Sequence, residues 1–244
     1  AYSTDAFGNS MSGDFVDRFV KDSDSIATKT KASFEAIVAK HQIGIGAAPP
    51  PGQPDKITAS ACWREEVGYA ATVVARRARF FDLVVLGRSE RVVDQPHTDV
   101  VEQTLINSGR PVLVAPAQPS ADIGDHVAIG WNGSAAATRA LTASLPFLAS
   151  ARGVWILTIG DRHQGSAVAL VEYLGWYGVT AKHRHVPAVE HAGVGQQLLT
   201  AAREEGANLL VMGGYGHVPW REFLFGGATR DVVGASLMPV LLTH

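Results

Sequence analysis

Asn208-Leu-Leu-Val-Met-Gly-Gly-Tyr-Gly216 opens the stretch whose reading decides the fold, and Pro239-Val-Leu-Leu-Thr243 closes it. Between them lie nine residues, His217 to Phe225, and then Gly226-Gly227-Ala228-Thr229 at the head of an apolar-periodic segment. Apolar run, glycine loop, helix, apolar run is the strand–loop–helix–strand unit of a parallel α/β sheet. Glycines at a strand's carboxyl end let backbone approach a ligand closely. A second pair at a helix start presents unpaired N–H groups beside the positive end of the helix dipole. Together they suit a phosphate. The plainer reading, a tight strand exit followed by a helix cap, needs only one of the two pairs.

The spacing G-x2-G-x9-G resembles the nucleotide loop of the universal stress protein family, with Gly213, Gly216 and Gly226 on its three glycines. The resemblance implies a HUP-like sheet of strand order 3-2-1-4-5. It also implies ATP, with Mg²⁺ as a possible companion, cradled by Gly213, Gly216, Gly226, Gly227, Ala228 and Thr229. A Ser or Thr follows the third glycine in the family. Gly227 stands at that place here, and Thr229 is the nearest hydroxyl. The family commonly carries an Asp in the turn after its first strand, near the ribose and the metal-bridged phosphates. Here that turn is Trp131-Asn132-Gly133-Ser134, and Asn132 brings a hydrogen-bonding amide without charge. Asn132-Gly133 reads equally as a plain turn with Ser134 capping the next helix. Ile159, at the end of the following strand, falls where family members hold adenine through backbone groups.

Other function classes are excluded or weakened by composition. The chain has 244 residues, 46% hydrophobic and 18% charged, with a net charge of -2. That is enough apolar content for real cores and no basic field for nucleic acid or an anionic membrane. No apolar run approaches the ~20 residues of a membrane span, and no signal-peptide pattern is visible. The single cysteine, Cys62, makes no internal disulfide and fits a reducing compartment, so a cytoplasmic protein is expected.

Taken in order, residues 1–13 are turn-rich and polar. Asp14 to His41 reads as one amphipathic helix, with Phe15, Phe19, Ile26, Phe34, Ile37, Val38 and His41 near one face. Gly44 to Pro54 reads as loop, Ile57 to Cys62 as strand and Glu65 to Arg79 as helix. Asp82 to Leu86 then reads as a buried strand, Val100 to Ser108 as helix and Pro111 to Ala115 as strand. After the linker Pro116–Asp125 come strand Val127–Trp131, a helix capped by Ser134 running toward Leu148, strand Val154–Ile159, helix Ser166–Tyr177, strand Thr180–Val186 and helix Val194–Glu205. With the opening stretch, this makes a complete doubly wound domain.

An internal repeat divides the chain. Asp82-Leu-Val-Val-Leu-Gly87 matches Asn208-Leu-Leu-Val-Met-Gly213, and Pro111-Val-Leu-Val matches Pro239-Val-Leu-Leu. Two related α/β domains are expected, at residues 1–117 and 126–244, an organisation that resembles the two-domain branch of the same family. The halves differ at the loop, for Arg88-Ser89-Glu90 follows Gly87 without a second glycine. The first domain is therefore expected to be degenerate and to lack the phosphate loop. It also shows no counterpart of the Val127–Ile159 strand–helix–strand, so about 40 to 50 residues are expected to be missing at its front.

No Gly-Lys dipeptide exists for a Walker loop, and no Gly-x-Ser-x-Gly elbow for a hydrolase. Gly193-Val-Gly195 lacks the third glycine of a dinucleotide fingerprint. The cations near the loop are His217, Arg221 and Arg230, with Arg221 as readily paired to Glu222 or Asp231 as to phosphate. His183 and His185 alternate along one strand with His191 nearby, which reads as a solvated edge more readily than as a zinc site. No general base or nucleophile is identifiable in the loop. The expectation is therefore a stress-response protein that binds ATP and signals, as opposed to turning it over; a dimerisation scaffold of the same fold that binds no nucleotide is the alternative. In the family, single-domain members join their last strands antiparallel. Here Pro111–Ala115 and Pro239–Thr243 are expected to do so within one chain, giving an intramolecular pseudo-dimer, with any larger homo-oligomer built from other surfaces.

Overall fold

The computed structural model describes residues 13–46, 59–88, 96–118, 122–214 and 227–244. Its contacts group residues 1–67 and 68–244 into two units.

In the first unit, helix α1 (Gly13–Lys40) is followed by two short parallel strands, β1 (Gly44–Ile45) and β2 (Ser60–Ala61). A strand at Gly44 stands where a loop is expected from the sequence, and β2 is shorter than the Ile57–Cys62 run. Among the described side chains of the stripe expected to bury along α1, only Val38 is buried, while Ile26 and Ile37 are exposed. Phe34 instead packs tilted against Trp63, ring centroids 5.6 Å apart.

The second unit is built on one seven-stranded sheet. In chain order its elements are α2 (Ala70–Ala78), β3 (Val84–Gly87), α3 (Pro96–Ser108), β4 (Val112–Ala115), β5 (His126–Gly130), α4 (Ala135–Leu148), β6 (Gly153–Ile159), a 3-10 turn (Asp161–His163), α5 (Gln164–Gly175), β7 (Ala181–Val186), α6 (Val194–Glu204), β8 (Leu209–Gly213), α7 (Gly227–Ala235) and β9 (Val240–Thr243). The strand order is β3-β4-β9-β8-β5-β6-β7. From β5 onward, the strands in chain order occupy positions 3-2-1-4-5, the order that the resemblance implies. Every pairing is parallel except one: β4 meets β9 antiparallel, with Val112 opposite Leu242 and Leu113 opposite Leu241. The two terminal strands thus join as expected.

The continuous apolar runs follow from burial on both faces. Val127, Ile129, Leu209, Val211 and Leu241 point into one core with α4 and α5. Ala128, Leu210, Met212, Val240 and Leu242 point into the other with α3, α6 and α7. Both α3 and α7 end on the same turn, in which Ser108 Oγ accepts from the Arg110 N–H at 3.0 Å and Ser236 Oγ from the Met238 N–H at 3.2 Å.

Some boundaries differ from expectation. Helix α2 begins at Ala70, after Gly68, where an added Cβ would meet Val73 Cγ2 at 2.9 Å; the chain turns there and cannot run helical from Glu65. The run ending at Leu86 is not wholly buried. Val85 is 59% exposed, whereas Val211 at the matching place in β8 is 0% exposed. The reason is position: β3 is a sheet edge, and among the described residues no strand pairs with its outer side. On the opposite edge, Arg184 of β7 forks onto Glu204 and Glu205 of α6, reaching Glu205 Oε1 at 2.5 Å.

Candidate nucleotide site

Strands β5 and β8 are neighbours, but the helices that follow them go to opposite faces, α4 to one core and α7 to the other. Their carboxyl ends form the switch point where open α/β sheets bind ligands. Trp131 and Asn132 leave β5 there, Ile159 ends β6 beside it, and Gly213 ends β8. The candidates Trp131, Asn132, Ile159 and Gly213 therefore share one rim, with Gly227, Ala228 and Thr229 forming the first turn of α7. Gly216 and Gly226 lie outside the described residues, as do His217 and Arg221.

The rim is tightly packed. A Cβ on Gly213 would stand 2.5 Å from Ala137 N in the first turn of α4, so β8 can approach that helix only as glycine. At Gly214 the added atom would meet Leu105 Cδ2 at 2.8 Å, with Thr229 Cγ2 at 3.7 Å. The Gly214 N–H donates to the Thr243 carbonyl at 2.7 Å, and Thr243 Oγ1 donates to the Ala136 carbonyl at 2.7 Å. Both glycines thus have packing reasons independent of any ligand. Gly227 is the opposite case: among the described residues an added Cβ would meet nothing within 4 Å. Thr229 is buried. Arg230, one residue further, is exposed. A cation in the first turn opposes the helix dipole, and a docked anion would relieve that.

Along the β5 rim, Asn132 Oδ1 accepts from the Ser134 N–H at 3.1 Å, and Ser134 Oγ accepts from the Ala137 N–H at 3.1 Å. The turn-and-cap reading is thus realised in full. Trp131 Nε1 donates to Ser166 Oγ at 3.0 Å, which holds the indole across the rim. Farther along, Thr158 Oγ1 and His183 Nε2 are hydrogen-bonded at 2.9 Å, and His185 Nε2 lies 3.2 Å from Asp161 Oδ1. Burial, then the neighbouring His185, lowers the basicity of His183. Among the described residues no group of three potential ligands is placed to hold a metal ion. The Gly193-Val-Gly195 motif serves packing, since a Cβ on Gly195 would lie 2.5 Å from the Ala228 carbonyl oxygen, where α6 meets α7.

Sequence reasoning missed two residues from the first half. Arg88, at the place in β3's exit that Gly214 holds in β8's, donates through Nη1 to the Gly234 carbonyl at 3.0 Å and the Val233 carbonyl at 3.4 Å. It caps the C-terminal end of α7. Glu102 of α3 is only 3% exposed, and its Oε1 has no hydrogen-bond partner. A separate cavity of about 400 Å³ lies at the β4–β9 junction. Its arginines are occupied, Arg139 Nε on the His244 carbonyl at 2.6 Å and Arg110 Nη2 on the Arg79 carbonyl at 2.9 Å.

No described helix is long and apolar enough to cross a membrane. No protein-family model matches the chain, and no curated protein matches it significantly. Solved structures do match. A universal stress protein from Archaeoglobus fulgidus DSM 4304 superposes with a TM-score of 0.67 over 96% of this chain and 80% of that one, at 15% identity. A functionally unknown protein from Pseudomonas aeruginosa PAO1 gives a TM-score of 0.53 over 87% of this chain and 77% of that one, at 10% identity. At such identities the likeness concerns architecture, and on it the chain has the fold of the universal stress proteins.

Proposed function

We propose that the chain is a tandem universal stress protein that binds an adenine nucleotide, ATP, at the carboxyl ends of β5 and β8, and acts in the stress response by binding and signalling. What supports this reading is a glycine strand exit at the β5/β8 switch point together with a helix whose first residue, Gly227, leaves room for an added Cβ among the described residues. That space is what a phosphate needs, and the N–H groups and dipole of α7 supply its attraction. Arg230 adds the charge that Asn132 does not. The resemblance would set the ribose by the Trp131–Asn132 turn and the adenine by Ile159. In this reading the repeats at 1–117 and 126–244 form a pseudo-dimer through β4 and β9, and only the second holds nucleotide. Mg²⁺, if it accompanies ATP, would be held mainly by the phosphates. Exposed Cys62, a free thiol, suits work in the cytoplasm.

A nucleotide-free scaffold is the second reading, favoured by the packing reasons found for Gly213 and Gly214. Titration calorimetry and thermal shift with ATP and Mg²⁺ separate the two. Saturable heat and a raised melting temperature support the nucleotide site; neither, at millimolar ATP, rejects it.

A further inference from the structure

A buried carboxyl with an unsatisfied oxygen is costly unless it has work to do. Glu102 is such a group, 3% exposed with Oε1 unpartnered. It sits one turn before Leu105 on α3, and Leu105 packs against the same point over Gly214 as Thr229 of α7. The two helices therefore converge where β8 enters the phosphate loop. Arg230, next after Thr229, is near enough to act electrostatically on Glu102.

We propose that Glu102, carried by the first half, is a working part of the second half's phosphate site: docking of a nucleotide phosphate beside Arg230 is accompanied by uptake of a proton at Glu102. The inference rests on the nucleotide reading above. Burial and the charge of Asp99 push the Glu102 carboxyl up, while Arg230 pulls it down. Asp99 itself accepts from Tyr69 Oη at 2.8 Å, at the head of α2. Asp99 and Arg230 are the charged groups among the described residues that act on Glu102. A phosphate arriving at Arg230 repels the carboxylate and takes over part of the arginine's attraction. Both effects favour the neutral acid, because the carboxylate is desolvated and its Oε1 has no hydrogen-bond partner. The neutral carboxyl also gains an O–H to donate where the carboxylate had only acceptors. No bond to the ligand is made or broken; one proton moves from solvent to Glu102.

The test is calorimetry of ATP binding to the full chain in two buffers of unlike protonation enthalpy, near pH 6 and pH 8, for wild type and Glu102→Gln. Subtraction of the variant removes protons taken up by ATP itself. Wild type should take up more protons than the variant near pH 6, by as much as one per site. The variant, permanently neutral, should bind about tenfold more tightly near pH 8, within the usual range of coupling between sites. Equal proton uptake and equal affinity in the two proteins overturn the role of Glu102 and leave the nucleotide site standing. No heat from either protein rejects the nucleotide reading and this inference with it. Should the variant fail to fold, the ¹³C carboxyl resonance of Glu102 in wild type decides: its titration midpoint must rise on saturation with ATP, and an unmoved midpoint overturns the proposal.

Discussion

Leu105 and Gly214 are in close contact across the two halves of the chain, the leucine Cδ2 lying 2.8 Å from where a Cβ on Gly214 would stand. The contact binds a helix of the first half to the strand exit that opens the candidate site. Gly214→Ala should cost about 1–3 kcal/mol through overpacking. In a Leu105→Ala background most of that cost should vanish, because the leucine tip is what the methyl strikes. Urea denaturation of the four proteins in the cycle reads the coupling; an undiminished cost in the second background would locate the clash elsewhere.

The antiparallel seam is the second test. Leu241 is fully buried opposite Leu113. Leu241→Glu should destabilise by at least about 3 kcal/mol, since a carboxyl there has neither water nor partner. Val85→Glu, on the exposed edge of the same sheet, should change stability by less than about 0.5 kcal/mol. Comparable melting temperatures for the two variants would contradict the burial of the seam.

Gly227→Val should fold normally, because its Cβ meets no atom, yet lose ATP binding by filling the mouth of α7. The matched control is Gly87→Val, at the end of β3, where an added Cβ likewise meets nothing. Arg88 itself is no neutral control, since it caps α7. Calorimetry checks both: binding retained by Gly227→Val would move the phosphate away from that helix.

Stability should fall on acidification partly through His183. Burial and His185 hold its imidazole below the usual 6.5. A base depressed in the folded state favours the unfolded state once protons are available, so its contribution is present above 6.5 and is lost as pH falls through the lower folded value. Between about pH 7.5 and 5, wild type should therefore lose more stability than His183→Gln. Parallel curves from denaturant melts at each pH would show that His183 is not coupled to folding.

The alternation of apolar runs and helices was enough, by itself, to determine the doubly wound sheet; the order of its strands from β5 to β9 and the antiparallel pairing of Pro111–Ala115 with Pro239–Thr243 came from the resemblance that the glycine spacing carries. The sheet is legible because strand and helix types follow from local periodicity, which is written along the chain. Asn132-Gly133-Ser134 was legible for the same reason: an Asx turn and a helix cap involve residues two and three apart. What only the tertiary structure decided involves residues distant in sequence. Gly213 reads as a phosphate glycine, but its tightest neighbour is Ala137 in α4. Arg88 marks a missing glycine in the sequence, and folding turns it into the cap of α7. Val85, like Val211, lies between two apolar residues in sequence, and sheet position separates the exposed residue from the buried one. Glu102 is an ordinary helical acid until α7 is brought against it. Burial and charge pairing are properties of surfaces that meet, and which surfaces meet is set by the antiparallel junction of β4 with β9.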